Sequence, residues 1–160
     1  KNKLNLSTIG VFGGRGMGQT CGVADPSQWM KVFGIDIDSR DTTELITVAK
    51  KITPDEIKKA RKEIQPFFAE PIPEDETSER SIRLYLAMKK IVKKENWEFY
   101  TIQSFPGLGD DYGATCFAQS MMLNDGVGTS TLSDFNTAMT VKLLTDLSSE
   151  RVYYLYIHNI

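Results

Sequence analysis

Apolar residues along the chain follow two spacings, which predict strands alternating with helices. Strands are expected over 4–12 and 97–105, where apolar residues cluster and glycine or proline follows. A short strand is expected over 35–37, and the apolar run 152–157 predicts a last one. Between 78 and 94 the apolar positions lie on one side of a helix, so this stretch predicts a long amphipathic helix.

Residues that cap helices mark several further boundaries. Asp25-Pro26 begins a helix over 27–33, and Thr53-Pro54-Asp55-Glu56 forms a capping box for a helix reaching about residue 65. Asp134 is the expected N-cap of a helix over 135–147. Two more helices are expected over 43–51 and 112–123, and residues 106–109 are expected to form a turn.

This alternation predicts an α/β fold: a three-layer αβα sandwich with a mostly parallel, Rossmann-like sheet. The 160 residues suit a single domain. Because the chain begins at Lys1 and ends within an apolar, β-prone run, we expect it to be a fragment of a longer protein.

The charge and composition of the chain argue against two classes of binding partner. The net charge of -2 argues against general nucleic-acid binding, so no nucleic acid is expected as a partner. No apolar run approaches the ~18 residues of a membrane span, so no membrane partner is expected either. Two cysteines, Cys21 and Cys116, are too few for a disulfide framework and favour reduced thiols in the cytoplasm.

A glycine-rich loop over 13–18 follows the first predicted strand. Its glycines fail the dinucleotide spacing, because the third glycine position is Gln19 or Cys21, depending on the starting glycine. The loop still lies at the carboxyl end of a strand, where α/β proteins bind ligands. Arg15 is therefore a candidate for holding an anion or a sugar hydroxyl, with an ordinary surface arginine as the alternative.

Two other groups of residues are weaker candidates for a metal or catalytic site. Four carboxylates follow the second strand and could bind a hard cation, although helix caps and solvated faces account for most of them. They are Asp36, Asp38, Asp41 and Glu44. His158 is the only histidine and has no neighbouring ligands for a zinc site, and no Gly-x-Ser-x-Gly motif is present.

Several segments, taken together in order, resemble the middle domain of the L-fucose isomerase-like sugar isomerases, the L-fucose/L-arabinose isomerase superfamily. The segments are Gly13-Gly14-Arg15-Gly16-Met17-Gly18, Asp25-Pro26-Ser27-Gln28-Trp29, Phe33-Gly34-Ile35-Asp36-Ile37-Asp38, Asp111-Tyr112-Gly113-Ala114-Thr115-Cys116, Leu123-Asn124-Asp125 and the stretch 131–147. The resemblance implies aldose–ketose interconversion on a small sugar with a divalent cation, usually Mn²⁺. It also implies homo-oligomers and further N- and C-terminal domains.

When the family's metal ligands are matched residue by residue to this chain, neither of the two ligands expected in this domain is present. The family's Glu lies two residues before the aspartate that is here Asp134, so its position is Leu132, and the family's Asp position is Tyr156. Leucine cannot ligate a metal, and a tyrosine with a pKa near ~10 is a poor Mn²⁺ ligand at neutral pH. The sequence therefore predicts no metal ligands and leaves the catalytic residues unassigned.

Two explanations of this loss stay open. In one, the chain is a degenerate homologue that no longer isomerises in the family's way, or a non-catalytic sugar-binding or regulatory protein. In the other, His158 and Asp134 stand in for the lost ligands, since His158 shares a strand face with Tyr156. The resemblance assigns substrate binding to Arg15, Met17, Gln103 and Asp134. Core packing for Met17 and a solvated amide for Gln103 are the alternatives.

Overall fold

Four parallel strands form the centre of the protein. In the computed structural model, which describes residues 7–16 and 22–154, they are β1 (Thr8–Phe12), β2 (Asp36–Arg40), β3 (Phe99–Ile102) and β4 (Gly128–Thr131). Their order in the sheet is β2-β1-β3-β4, and every pair is parallel. The last residues of the strands, Arg40, Phe12, Ile102 and Thr131, are aligned with one another across the sheet.

Within residues 7–16 and 22–154, seven helices connect and follow the strands. They are α1 (Pro26–Phe33), α2 (Thr42–Lys50), α3 (Pro54–Ile64), α4 (Glu76–Lys94), α5 (Gly107–Asp111), α6 (Cys116–Asn124) and α7 (Phe135–Ser148), and a short 3₁₀ helix covers Gln65–Phe67. Among the described residues, no helix combines the length and the apolar character that crossing a bilayer requires.

Helices cover both faces of the sheet, which confirms the predicted three-layer α/β architecture. Alternation along β1 sends Ile9 and Val11 to one face, where they pack with Trp29 of α1 and Phe135 of α7. Phe12 lies in the second core, on the other face. That second core is built from α2, α3, α4 and α6 and includes Leu45, Ile57, Met88 and Met122.

The structure confirms the predicted helix caps. They could be predicted because a cap bonds to residues only two or three positions away in the chain. Asp25 Oδ1 accepts a hydrogen bond from Ser27 N at 2.9 Å. The Thr53–Glu56 capping box is complete, with Glu56 Oε2 accepting from Thr53 N at 2.8 Å. Asp41 caps α2 through Thr43 N, which explains one of the four clustered carboxylates.

Trp97 lies across the centre of the sheet just before β3. Its ring covers Gly10 of β1 so closely that a Cβ on Gly10 would lie 1.8 Å from Trp97 Cε3. The indole Nε1 donates to Asp38 Oδ2 of β2 at 2.9 Å, and Asp38 also pairs with Arg40 at 3.3 Å. Asp38 therefore serves the fold, and Gly10 is required by close approach of the ring.

Several predicted boundaries were wrong, and β4 was missed. The strand Gly128–Thr131 contains no large apolar side chain, so apolar spacing cannot reveal it. Its interior is polar instead: the Ser130 hydroxyl lies 2.7 Å from Thr101 Oγ1, and Gln119 Nε2 donates to Ser130 O at 2.9 Å.

The remaining corrections concern ends of elements. Asp75 caps α4, so that helix begins at Glu76 and not at the predicted Ser78. Residues expected to form a turn at 106–109 instead begin the short α5, and the next helix starts at Cys116 rather than Tyr112. Residues 151–154 are not in a strand, and the rest of the predicted last strand lies outside the described residues.

We predict that Gly10→Ala lowers the free energy of unfolding by at least about 2 kcal/mol, because the added methyl group must displace the buried Trp97 ring. Urea unfolding followed by Trp fluorescence measures this change. Gly107→Ala is the matched control: no atom lies within 4 Å of its added Cβ, so a change within about 0.5 kcal/mol is expected. Equal effects at the two positions would contradict the packing argument.

Candidate functional site

The carboxyl ends of β1, β3 and β4 lie side by side and carry the loops 13–16, 103–106 and 131–134. The strand order reverses direction here, since β2 pairs on one side of β1 and β3 on the other. Open parallel sheets bind ligands at such a reversal, outside the carboxyl ends of the strands. We call this region, defined by residues 13–16, 103–105 and 131–134, the carboxyl edge.

Gln103 joins the ends of β1 and β3. Its backbone N–H donates to Phe12 O at 2.8 Å, and its side-chain Oε1 accepts from Gly14 N at 2.9 Å. Gly13, which adopts a left-handed φ of 89°, allows the loop to turn beside this side chain. Because Oε1 faces a backbone donor, the Nε2 donors of Gln103 remain for a ligand: no described residue accepts from them.

Ser133 holds the same loop from the other side. Its hydroxyl donates to Gly14 O at 2.5 Å, and its backbone N–H donates to Ile102 O at 3.0 Å. Gly14 is thus fixed through both its N–H and its C=O by residues that follow β3 and β4. Sequence reasoning missed Ser133, because its partner lies far away along the chain.

The turn from β4 into α7 is strained. Leu132 and Ser133 have φ values of 57° and 55°, a left-handed conformation that costs a residue with a Cβ about 1–2 kcal/mol. Asp134 N donates to Thr131 O at 3.1 Å and Phe135 N to Gly22 O at 2.9 Å, which holds the turn in place. Such strain clusters at functional sites, where the surrounding structure maintains it. Leu132, half-buried, occupies this strained position at the carboxyl edge.

Asp134 is the carboxylate of this edge, and its predicted capping role is confirmed. Its Oδ1 accepts from Thr137 N at 2.9 Å, and its Oδ2 accepts from Thr137 Oγ1 at 2.7 Å. Gly22 packs against it, and a Cβ there would lie 3.1 Å from Oδ1. Each carboxylate oxygen keeps a further lone pair, so ligand contact by Asp134 stays a prediction.

The structure describes only some of the other predicted site residues. Arg15 is exposed directly after Gly14, and it makes no ion pair within 7–16 and 22–154. Met17, Tyr156 and His158 lie outside the described residues. Two half-buried hydroxyls that were not predicted, Ser104 and Thr131, hydrogen-bond to each other at the ends of β3 and β4.

Among the described residues of the carboxyl edge, hydroxyl and amide side chains outnumber carboxylates. Mn²⁺ prefers carboxylate and other oxygen ligands, usually several together. At the carboxyl edge the described residues offer the single carboxylate of Asp134, and across the described part of the chain no three His, Cys, Asp or Glu side chains cluster. The described residues of the carboxyl edge thus supply one carboxylate toward a hard cation, and Tyr156 and His158 lie outside the described residues.

We predict that at position 132 a glycine gives a more stable protein than an alanine by about 1 kcal/mol, because only glycine adopts the left-handed backbone without cost. Comparing Leu132→Gly with Leu132→Ala by urea unfolding removes the effect of the lost leucine side chain. The same pair at Leu144, within α7, should reverse the order by about 1 kcal/mol. The same order at both positions would contradict the strain at Leu132.

Comparison of the chain with known proteins adds no assignment: no family model and no curated protein matches it. The geometry thus establishes an α/β fold with a polar, strained carboxyl edge. The resemblance to the L-fucose isomerase-like enzymes stays a prediction from the sequence.

Proposed function

We propose that the chain belongs to the L-fucose isomerase-like sugar isomerases, binds a small sugar at its carboxyl edge and has lost the family's metal-dependent isomerisation. The observation that carries the proposal is the strained Leu132 beside polar groups that converge on Gly14. Leu132, which the resemblance matches to the family's ligand position, has a costly backbone conformation, and its side chain can neither ligate a metal nor accept a proton.

Sugar hydroxyls both donate and accept hydrogen bonds, and the carboxyl edge supplies both kinds of partner. Gln103 Nε2 and the Arg15 guanidinium donate, Asp134 accepts, and the Ser104 and Thr131 hydroxyls do either. Phe105, which follows Ser104 and is 59% exposed, adds the apolar surface typical of ligand sites. This mixture supports binding of a neutral polyol over binding of a phosphate or a nucleotide.

Isomerisation needs more than binding, because a proton must move between two carbons and the developing oxyanion must be stabilised. Among the described residues of the carboxyl edge, Asp134 is the one candidate base, and both of its oxygens already accept hydrogen bonds from Thr137. We therefore favour a sugar-binding or regulatory role over catalysis. Stand-in ligation by Asp134 with His158 is the competing explanation.

The proposal also covers the cellular location and the assembly of the protein. It includes a cytoplasmic location, in keeping with the free, exposed thiol of Cys116. By the same resemblance it includes homo-oligomers and additional domains that contribute to the sugar pocket.

We expect L-fucose or L-arabinose to bind the chain without added metal, and Gln103→Leu to weaken that binding at least about tenfold, because the Nε2 donors and the Gly14 contact are lost. Saturation-transfer NMR detects binding, and calorimetry with and without EDTA measures affinity. Gln28→Leu, an exposed glutamine of α1, is the control. The proposal fails if neither sugar binds, or if both variants weaken binding equally.

A second experiment tests the correspondence with the family's metal ligands. Leu132→Glu combined with Tyr156→Asp is expected to raise Mn²⁺ affinity at least about tenfold over the unmodified chain, because two carboxylates then occupy the ligand positions that the resemblance implies. Electron paramagnetic resonance of free Mn²⁺ measures the affinity.

The control variant carries Leu147→Glu and Tyr153→Asp, which add the same charges at residues 81% and 52% exposed. A similar Mn²⁺ affinity for both double variants would show that general negative charge is responsible. That result would remove the basis for matching residues 132 and 156 to the family.

A further inference from the structure

A concave surface lies away from the carboxyl edge, on the layer formed by α4 and α6. It is a groove of about 520 Å³, within the ~300–1,000 Å³ typical of ligand pockets. Its walls are the proline-rich segment 68–73, the first turns of α4 and Phe117 of α6. We call it the proline groove, and its main lining residues are Phe68, Glu70, Pro71, Ile72, Pro73 and Phe117.

Two side chains hold the wall of the groove rigid although it has no regular structure. Gln65 Nε2 donates to Glu70 O at 2.9 Å, and Gln65 Oε1 accepts from Ile72 N at 2.9 Å. Arg61 Nη1 donates to Ile72 O at 3.0 Å and to Pro73 O at 2.5 Å. A rigid wall lowers the entropy cost of binding, so the groove is formed before any partner arrives.

These same bonds decide how a partner can bind. Pro71 and Pro73 have no N–H, and the Ile72 N–H is already used by Gln65. The carbonyls of Glu70, Ile72 and Pro73 are also occupied. Residues 71–73 therefore have no free N–H to pair with an added strand, so we expect affinity to come from side chains entering the groove.

Aromatic surface provides the apolar contact. The rings of Phe68 and Phe117 stack with centroids 5.8 Å apart and an interplanar angle of 23°. Phe117 and Ile72 also pack on the core behind the groove, whereas Phe68 remains 37% exposed. Exposed aromatic surface within a concave site is typical of the anchor positions of protein interfaces.

The segment that lines the groove is rich in carboxylates. Glu70 lines the groove itself, and residues 65–79 include four further carboxylates, those of Glu74, Asp75, Glu76 and Glu79, and no lysine or arginine. The cation that reaches this wall from α3, Arg61, directs its Nη1 to the carbonyls of Ile72 and Pro73. Arg80 pairs with Glu76, but neither Glu70 nor Glu74 makes an ion pair with a described residue. The Ser78 backbone N–H holds the pKa of Asp75 below its usual value, which keeps that carboxylate ionised. Glu70 in the groove, and the excess of carboxylates along the same segment, are therefore complementary to a basic partner.

We propose that the proline groove docks a basic segment of a partner protein. One leucine or aromatic side chain of that segment enters over the Phe68–Phe117 stack, and a neighbouring lysine or arginine lies beside Glu70. This inference does not rest on the proposed sugar binding, because the groove shares no lining residue with the carboxyl edge.

The test is selection from a display library of random short peptides on the immobilised 160-residue chain. Enriched peptides are expected to place leucine or an aromatic residue next to lysine or arginine. Their affinity, measured by fluorescence anisotropy, should fall at least about tenfold with Phe68→Ala and with Glu70→Lys. Raising the salt concentration should weaken binding of the unmodified chain.

Matched controls separate the groove from general effects. Phe33→Ala removes an aromatic ring of similar exposure, 39%, from α1 on the opposite layer, and Glu150→Lys reverses an exposed charge elsewhere. Circular dichroism establishes that each variant is folded. Overturning results are no enrichment, enrichment of acidic or purely polar peptides, or equal losses in the controls. Self-association abolished by Phe68→Ala in sedimentation experiments would instead assign the groove to a second copy of the chain.

Discussion

Burial of β1 on both faces, between two parallel neighbours, is the constraint on which the other features depend. Ile9 and Val11 pack towards α1 and α7, and Phe12 packs towards the opposite layer. Gly10 has room for no side chain because Trp97 covers it. A strand held in this way brings its carboxyl end level with those of β3 and β4, and that alignment creates the carboxyl edge.

The loop after β1 illustrates how the carboxyl edge is maintained. Gly14 is bonded through its N–H to Gln103 and through its C=O to Ser133, so three separate strand ends share one loop. The left-handed conformations of Leu132 and Ser133 are the cost of this arrangement. That cost is offset by the cap of α7 and by bonds to β3, which makes the strain a property of the assembled sheet.

The carboxyl edge and the proline groove present different chemical groups to a ligand. The carboxyl edge presents neutral donors and acceptors, as a small polyol requires, and its charged members are Arg15 and Asp134. The proline groove presents stacked rings and the carboxylate of Glu70, on a segment whose Ile72 N–H and Glu70 carbonyl are bonded to Gln65. We therefore propose a small neutral ligand for one surface and side chains of a polypeptide for the other, and the two surfaces share no lining residue.

Local chemistry along the sequence determined the α/β class and most helix starts, because a cap such as Asp25 or Thr53 bonds to residues two or three positions away. The resemblance, and not local chemistry, singled out Gln103 and Asp134 as candidate site residues, and the structure brings both to the carboxyl edge. The strand β4 escaped prediction because its buried side chains are hydroxyls satisfied by Thr101 and Gln119 from other elements. Only the tertiary structure revealed the role of Ser133 and the strain at Leu132, since both arise from contacts between segments distant in the chain, which no local pattern records.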